Sequence, residues 1–312
     1  MKGRPACRIF LLCGLALAWL ALGGAAAAGF VQTFESGQID WGSGEIAARA
    51  IEPAGADALA ARRLLVQLRK GLLDMLGSVR IDAGASVAVL LAANELLAAN
   101  VRGFVQNSPF SRIPAEPGPA GAASAIGLRG ALSEMLIPAG VPFQSGIPPR
   151  SALIVAKNPA QALGVKESLF AETRTGFAAP LAPAAPTVPA HPAPPPLAEV
   201  GAYTGIVIDA RGLSPTPALL PMIYDDKGLG VYGAFAVSRA SAVNLGLVAY
   251  AQAPDDPLVR ERAGTRPLRI RAVGLTVRNG TDPILSSEDA RAARGVLKSR
   301  EVIENCRVVI LP

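Results

Sequence analysis

The apolar positions of residues 58–76 recur at three- and four-residue steps, and this period predicts an amphipathic helix of about 30 Å. The charged side chains between Arg62 and Asp74 lie off this apolar stripe. Asp57 precedes the pattern and is a suitable N-terminal cap, and Gly77 follows it as a suitable stop signal. The leucines of the stripe are Leu65, Leu68, Leu72 and Leu76.

The residues on both sides of this helix predict a sheet for it to cover. Short alternating runs flank a Gly-rich turn and indicate a hairpin within residues 39–50. A second helix is predicted over residues 86–99. Further strands are predicted at residues 79–82, 101–106 and 126–137. Helices followed by several strands favour an α+β layer, in which the long helix lies on one face of the sheet.

The C-terminal part of the chain consists mostly of short, β-rich apolar runs. A hairpin turn is predicted from Asp225 to Gly228, because Asp starts such turns and Gly adopts a positive φ. A helix is predicted from Ser286 to about Lys298, since Ser286 and Asp289 approximate a capping box. Strands are predicted at residues 203–209, 222–224, 231–232, 245–250, 268–277 and 307–311.

A Pro/Ala-rich stretch, residues 178–198, separates the two patterned parts. Proline lacks an amide donor and fixes its own φ, so the stretch predicts a semi-rigid spacer, with a long internal loop as the alternative. The predicted division is an export signal at 1–28, a domain at 29–150, a linker at 151–200 and a domain at 201–312. The predicted fold class is α+β, with a helix-on-sheet N-terminal domain and a β-rich α+β C-terminal domain.

The first 28 residues have the composition of a cleavable export signal. Lys2, Arg4 and Arg8 form a positive head, and residues 9–28 carry no charge. The run ends in four alanines, which suit a signal peptidase, so we expect a cut after Ala28. An uncleaved membrane anchor is the alternative, because the apolar run is nearly long enough to span a bilayer. The prediction is an exported protein, periplasmic or associated with the outer membrane.

Charge and cysteine content narrow the range of functions. The formal net charge of +6 falls to +3 without the three basic residues of the export signal, which is too weak a balance to indicate nucleic acid binding. Cys306 is the only cysteine after the export signal. A single cysteine forms no internal disulfide, so ordinary apolar cores must stabilise the fold.

Residues 58–107 combine an Ala/Arg-rich helix, a GSVRID turn-strand, a second helix and an NVRGFV strand, and GALSEMLIP with a VPF triplet follows. This order, over about residues 38–149, resembles the small surface-lipoprotein family that includes the flagellar outer-membrane protein FlgP. It is also similar to the N-terminal domain of the flagellar protein FlgT. The segments YTGIVIDARG and DPILSSEDARAARG resemble C-terminal regions of larger exported members of that group. The resemblance implies a cell-envelope role, linked in some members to motility or outer-membrane integrity.

The candidate residues for chemistry are few. The only histidine, His191, lies in the Pro-rich spacer, so the sequence contains no Ser-His-Asp triad and no histidine-based zinc site. Cys306 adjoins an apolar strand and is predicted to be a buried, inert thiol. The acidic residues Asp209, Asp225, Asp226, Asp255 and Asp256 are placed at turns. We therefore predict no catalytic, cofactor-binding or metal-binding residues.

The sequence thus predicts a non-enzymatic, structural or protein-binding component of the cell envelope, associated with flagellar or outer-membrane assembly. A carboxylate-dependent hydrolase acting on envelope glycans is the alternative, and it requires two acids that converge in one cleft. The expected partners are envelope or outer-membrane proteins, without nucleic acid or a small-molecule substrate. Peripheral membrane contact through the basic face of the long helix and homo-oligomer formation both stay open.

Overall fold

The computed structural model describes residues 29–52, 55, 57–113, 124–143, 146–151, 203–276 and 280–312. The predictions of an export signal, of a Pro/Ala-rich spacer and of a solvated His191 lie outside the described residues. Within the described residues, helices and several sheets are combined, and the predicted α+β class is confirmed.

The first region, up to Ser151, contains a five-stranded antiparallel sheet in the order β1-β2-β3-β5-β4. The predicted hairpin is confirmed as the β2–β3 pair, with Ile39 opposite Ile46. The strands are β1 (Val31–Phe34), β2 (Gly37–Asp40), β3 (Glu45–Glu52), β4 (Phe110–Ile113) and β5 (Ser124–Ala131).

One face of this sheet is covered by the predicted long helix. Leu68, Leu72 and Leu76 are buried against the sheet residues Ile46 and Ala48. The predicted cap is confirmed, because Asp57 Oδ1 accepts the amide N–H of Ala60 at 2.7 Å. The helices of this region are α1 (Ala58–Ser78), α2 (Val87–Ala93), α3 (Glu95–Asn107) and α4 (Leu132–Leu136).

Four sequence predictions in this region need correction. The strand predicted at 101–106 is wrong, because these residues belong to α3. The spacing of Val101 and Val105 fits the two-residue period of a strand. Together with Leu97, it also fits the four-residue step of a helix. Asn94 Oδ1 accepts the Leu97 amide at 3.0 Å, which starts α3 and divides the single helix predicted over 86–99.

The other two corrections concern predicted strands. The strand predicted at 126–137 ends at Ala131, where α4 begins, and α4 buries Leu132, Met135 and Leu136 at helical spacing. Residues 79–82 form no regular strand; only Arg80 makes isolated bridges, to Ser86 and to Ala218.

The second region, from Tyr203, contains two four-stranded sheets. One has the order β10-β6-β13-β9 and is parallel throughout; the other has the order β11-β12-β7-β8 and is mixed. The strands are β6 (Gly205–Asp209), β7 (Ile223–Asp225), β8 (Gly230–Tyr232), β9 (Ala249–Tyr250), β10 (Pro267–Arg271), β11 (Gly274–Leu275), β12 (Pro283–Leu285) and β13 (Val308–Leu311). The helices are α5 (Arg239–Leu245), α6 (Pro257–Ala263), α7 (Ser287–Val296) and α8 (Arg300–Glu304).

Local signals in this region predicted several elements correctly. Gly228 has a φ of +77° in the β7–β8 turn, as the hairpin requires. Ser286 Oγ accepts the Asp289 amide at 3.0 Å and caps α7.

Two predicted strands of this region differ from the structure. The strand predicted at 245–250 shortens to β9, because α5 extends to Leu245. The strand predicted at 268–277 divides into β10 and β11.

The two regions share one continuous apolar cluster, which runs from Ile39 to Ile310. Backbone hydrogen bonds reinforce this joint: the Leu219 amide donates to the Arg80 carbonyl at 2.8 Å, and the Leu220 amide donates to the Ile81 carbonyl at 2.7 Å. Trp41 also packs edge-on against Tyr250, with ring centroids 5.7 Å apart. The joint therefore combines buried apolar area with strand-like pairing.

Candidate functional site

Asp209, at the end of β6, forms a local salt link with Arg211. Arg211 donates from Nε to Asp209 Oδ1 at 2.9 Å and from Nη2 to Asp209 Oδ2 at 2.7 Å. These hydrogen bonds from Arg211 hold the pKa of the Asp209 carboxyl below its usual value. A carboxylate paired in this bidentate way stabilises a turn and is poorly suited to accept a proton from a substrate.

Asp225 is buried and closes the β7–β8 turn from within. Its Oδ1 accepts the amides of Lys227 at 3.0 Å and Leu229 at 2.8 Å, and its Oδ2 accepts from Arg294 Nη2 at 2.8 Å. Because Arg294 lies on α7, this ion pair fastens the turn to the helix. All of these partners belong to the fold, so Asp225 has a structural role.

Asp226, the next residue, points to the beginning of the same helix. Ser287 donates to it from the amide at 3.1 Å and from Oγ at 2.5 Å. The adjacent acids thus bind different partners and do not converge. The predicted turn role of this acidic pair agrees with these contacts.

The second acidic pair adjoins α6. Asp256 is buried and caps α6, since its Oδ1 accepts the Leu258 amide at 2.9 Å. Asp255 is exposed and borders an open groove. Acidic and basic side chains both line this groove, together with one threonine: Asp255, Arg260, Glu261, Thr265 and Arg269.

Cys306 is buried, as predicted from the apolar strand beside it. Burial raises the pKa of the Cys306 thiol, which disfavours the nucleophilic thiolate. The neighbouring Arg262 is committed to backbone carbonyls: it donates to Cys306 at 2.8 Å, to Leu245 at 2.6 Å and to Gly246 at 2.6 Å. The arrangement ties three chain segments together.

Sequence reasoning missed one buried acid, Asp282. It is 3% exposed, and its Oδ1 accepts the Met222 amide at 3.1 Å. Burial, with a smaller contribution from Asp82, raises the pKa of Asp282 to about 7, and nearby Arg80 opposes this rise. The sequence gives no signal for this site, since a lone Asp before Pro283 has the pattern of an ordinary turn.

Asp282 lies where the two regions meet. Arg80 and Asp82 come from the first region and act on Asp282 across the joint. Burial, together with the negative charges of Asp282 and Asp82, raises the pKa of Tyr224 to about 12. The joint therefore buries one carboxyl, Asp282, whose pKa lies near neutral pH.

The first region also exposes apolar side chains on α2 and α3. We call Val89, Leu96 and Phe104 the α2–α3 surface; they are 59%, 71% and 40% exposed. Glu95 is the only charged residue between Asp82 and Arg102. Exposed helices ordinarily carry charge on the outer face, so this surface has the composition of a contact site.

No group of three or more His, Cys, Asp or Glu side chains in the described ranges could hold a metal ion. Among the helices of this part of the chain, none is both long enough and apolar enough to cross a membrane.

Comparison with known proteins finds a likeness in the second region. Residues 205–312 match the family model of the second domain of Treponema pallidum Tp0624. No curated protein matches the chain. The match begins at the first residue of β6 and extends over both four-stranded sheets.

The Tp0624-like region contains every acid that the sequence singled out, together with Asp282 and Cys306. The residues on which the FlgP and FlgT resemblance depends, about 38–149, lie outside it. The α2–α3 surface also lies outside it. The likeness to Tp0624 is therefore a likeness of the second region alone.

Proposed function

We propose that the protein is an exported, non-enzymatic component of the cell envelope that acts by binding other proteins. The observation that carries the proposal is the α2–α3 surface, which leaves Val89, Leu96 and Phe104 exposed on two helices whose only charged residues are Glu95 and Arg102. Burying such side chains against a partner removes apolar area from water and stabilises the complex.

The acids support the same proposal. Asp209, Asp225, Asp226 and Asp256 are each engaged by partners within the fold. A hydrolase that used one of them would have to break these contacts before proton transfer. The resemblance to FlgP and FlgT adds the expectation of a role in flagellar or outer-membrane assembly, and the residues before Gly29 add the expectation of export.

A photo-crosslinking pull-down from envelope fractions tests the proposal. A crosslinking amino acid replaces Leu96 in one sample and Val273, which is 49% exposed in the second region, in the matched control. We expect a discrete envelope-protein adduct from position 96 and none from position 273. Equal labelling at both positions, or no adduct at position 96, would contradict the proposal.

The hydrolase alternative depends on the groove beside α6, where two carboxylates could act. Asp255 and Glu261 both line it, and within the part of the chain that the structure describes neither carboxylate makes a hydrogen bond or ion pair comparable to those of Asp225. If the double variant Asp255→Asn/Glu261→Gln folds normally and loses the envelope phenotype, the alternative is favoured. We expect the double variant to retain the phenotype.

A further inference from the structure

The first half of α1 lies at the edge of the core that the rest of the helix covers. None of the ten residues 58–67, which we call the α1 tip, is fully buried, and full burial begins at Leu68. Leu64 and Leu65 are half-buried and pack against the core, so the tip is held in place on that side. The opposite side of the tip faces solvent.

The solvent-facing side of the α1 tip carries positive charge without acidic partners. Arg62 and Arg63 are exposed, and no acidic side chain of the described residues lies within salt-bridge distance of either. The sequence contains no Asp or Glu from residue 58 to residue 73. Lys70, by contrast, is paired with Asp74 at 2.7 Å. The uncompensated charge is thus concentrated at the tip.

Aliphatic side chains flank these two arginines. Leu59 is 54% exposed and Val66 is 65% exposed. They are seven residues apart, so they lie two turns apart on one helix face, with Arg62 and Arg63 between them. Long arginine stems can lie along apolar surface while their guanidinium groups stay in a polar layer.

We propose that the α1 tip binds an anionic lipid surface, with Leu59 and Val66 at the boundary of the acyl chains and Arg62 and Arg63 among the headgroup phosphates. This combination of aliphatic and cationic side chains is the one that interfacial helices use. The tip contains neither Trp nor Tyr, two of the residue types that are enriched at the centres of protein–protein contacts. The envelope location rests on the proposed function, but the lipid affinity itself is measurable without it.

Vesicle co-sedimentation of the full exported chain tests this proposal. The probe is vesicles of phosphatidylcholine, alone or with phosphatidylglycerol. We expect binding to the anionic vesicles, and we expect Arg62→Gln/Arg63→Gln to weaken that binding about ten- to thirty-fold, since each basic residue near an anionic surface contributes about one kcal/mol. The matched control is Arg266→Gln/Arg291→Gln, which removes two exposed charges from the second region.

Both double variants carry the same N-terminal segment, so any contribution of that segment to vesicle binding cancels between them. Equal binding by the two variants would overturn the proposal. A second outcome would also overturn the proposal. If the Arg62→Gln/Arg63→Gln variant binds vesicles normally but loses the protein adduct formed at position 96, the tip binds a protein partner. If the crosslinker at position 96 forms no adduct, the proposed protein binding is contradicted, but the vesicle result is unaffected. The proposed protein binding and the proposed lipid binding can therefore be rejected separately.

Discussion

The two regions of this protein differ in where they place apolar side chains. Among the described residues, the second region exposes three large apolar side chains, and the sheet and helices of the first expose eight. Those of the first region are Val31, Ile51, Leu59, Val66, Val89, Leu96, Phe104 and Phe110. In the second region, every residue of β13 is buried, and the turns are fixed by acids such as Asp225.

The contrast is between a region that buries most of its apolar side chains and a region that leaves many of them exposed. A region whose apolar residues are nearly all inside, and whose acids are committed to caps and turns, is a stable support. A region with apolar and basic side chains on its outer helices has surface available for partners. Under the proposed function, binding belongs to the first region and support to the second, with the shared core connecting the two.

The largest expected effect separates buried from exposed leucines on one helix. Leu72→Ala removes a fully buried side chain from α1 and should lower the free energy of unfolding by about 2–5 kcal/mol, because it opens a cavity. Leu59→Ala, on the exposed face, should change it by less than about 0.5 kcal/mol. Urea unfolding of both variants measures the difference, and similar losses would show that the α1 tip is not an outer surface.

The next effect concerns the joint between the regions. The pKa of Asp282 is raised to about 7, so the folded protein holds a proton that the unfolded chain releases at lower pH. Stability should therefore fall as pH rises from about 4 to about 7, by roughly 2 kcal/mol between pH 5 and pH 7, and level off above that. Asp282→Asn should remove this part of the pH dependence in urea unfolding.

Asp209→Asn is the matched comparison for this experiment, because the pKa of Asp209 is lowered instead. The native side chain contributes stability that is present above its unfolded pKa and is lost as pH falls through the folded one. The two variants should thus alter opposite ends of the pH profile. A wild-type profile that Asp282→Asn leaves unchanged would show that the joint does not titrate.

A smaller effect is expected from one hydroxyl at the same joint. Tyr250 Oη accepts the Ala218 amide at 3.0 Å and donates to the Ala218 carbonyl at 3.1 Å, in a fully buried position. Tyr250→Phe leaves both backbone groups without this partner and should cost about 1–3 kcal/mol. Tyr203→Phe, at a half-buried tyrosine, is the control and should cost little; equal losses would contradict the proposed importance of the joint.

Local sequence signals predicted much of this fold. Asp57 and Ser286 act as helix caps, and the Asp225–Gly228 turn forms as predicted, because each depends on residues within one turn of chain. The apolar stripe of α1 was equally informative. The run from Leu97 to Val105 satisfied two periods at once, so its pattern alone did not decide between helix and strand.

Long-range pairing is what the sequence did not reveal. The parallel sheet brings β13 between β6 and β9, and these partners are far apart in the chain. Asp282 is buried only because residues 80–82 and 218–222 meet beside it. Neither fact has a local signal, so the one strongly perturbed acid of the described chain was found only in the folded structure.

The most direct test of the account is a complementation assay with two surface variants in a strain that lacks this protein. Leu96→Ser removes an exposed apolar side chain of the first region, and Asp255→Asn removes an exposed acid of the second. With both variants folded by circular dichroism, the account predicts that Asp255→Asn restores the envelope phenotype and that Leu96→Ser does not. Restoration by Leu96→Ser together with failure of Asp255→Asn would contradict it and would place the function in the groove beside α6.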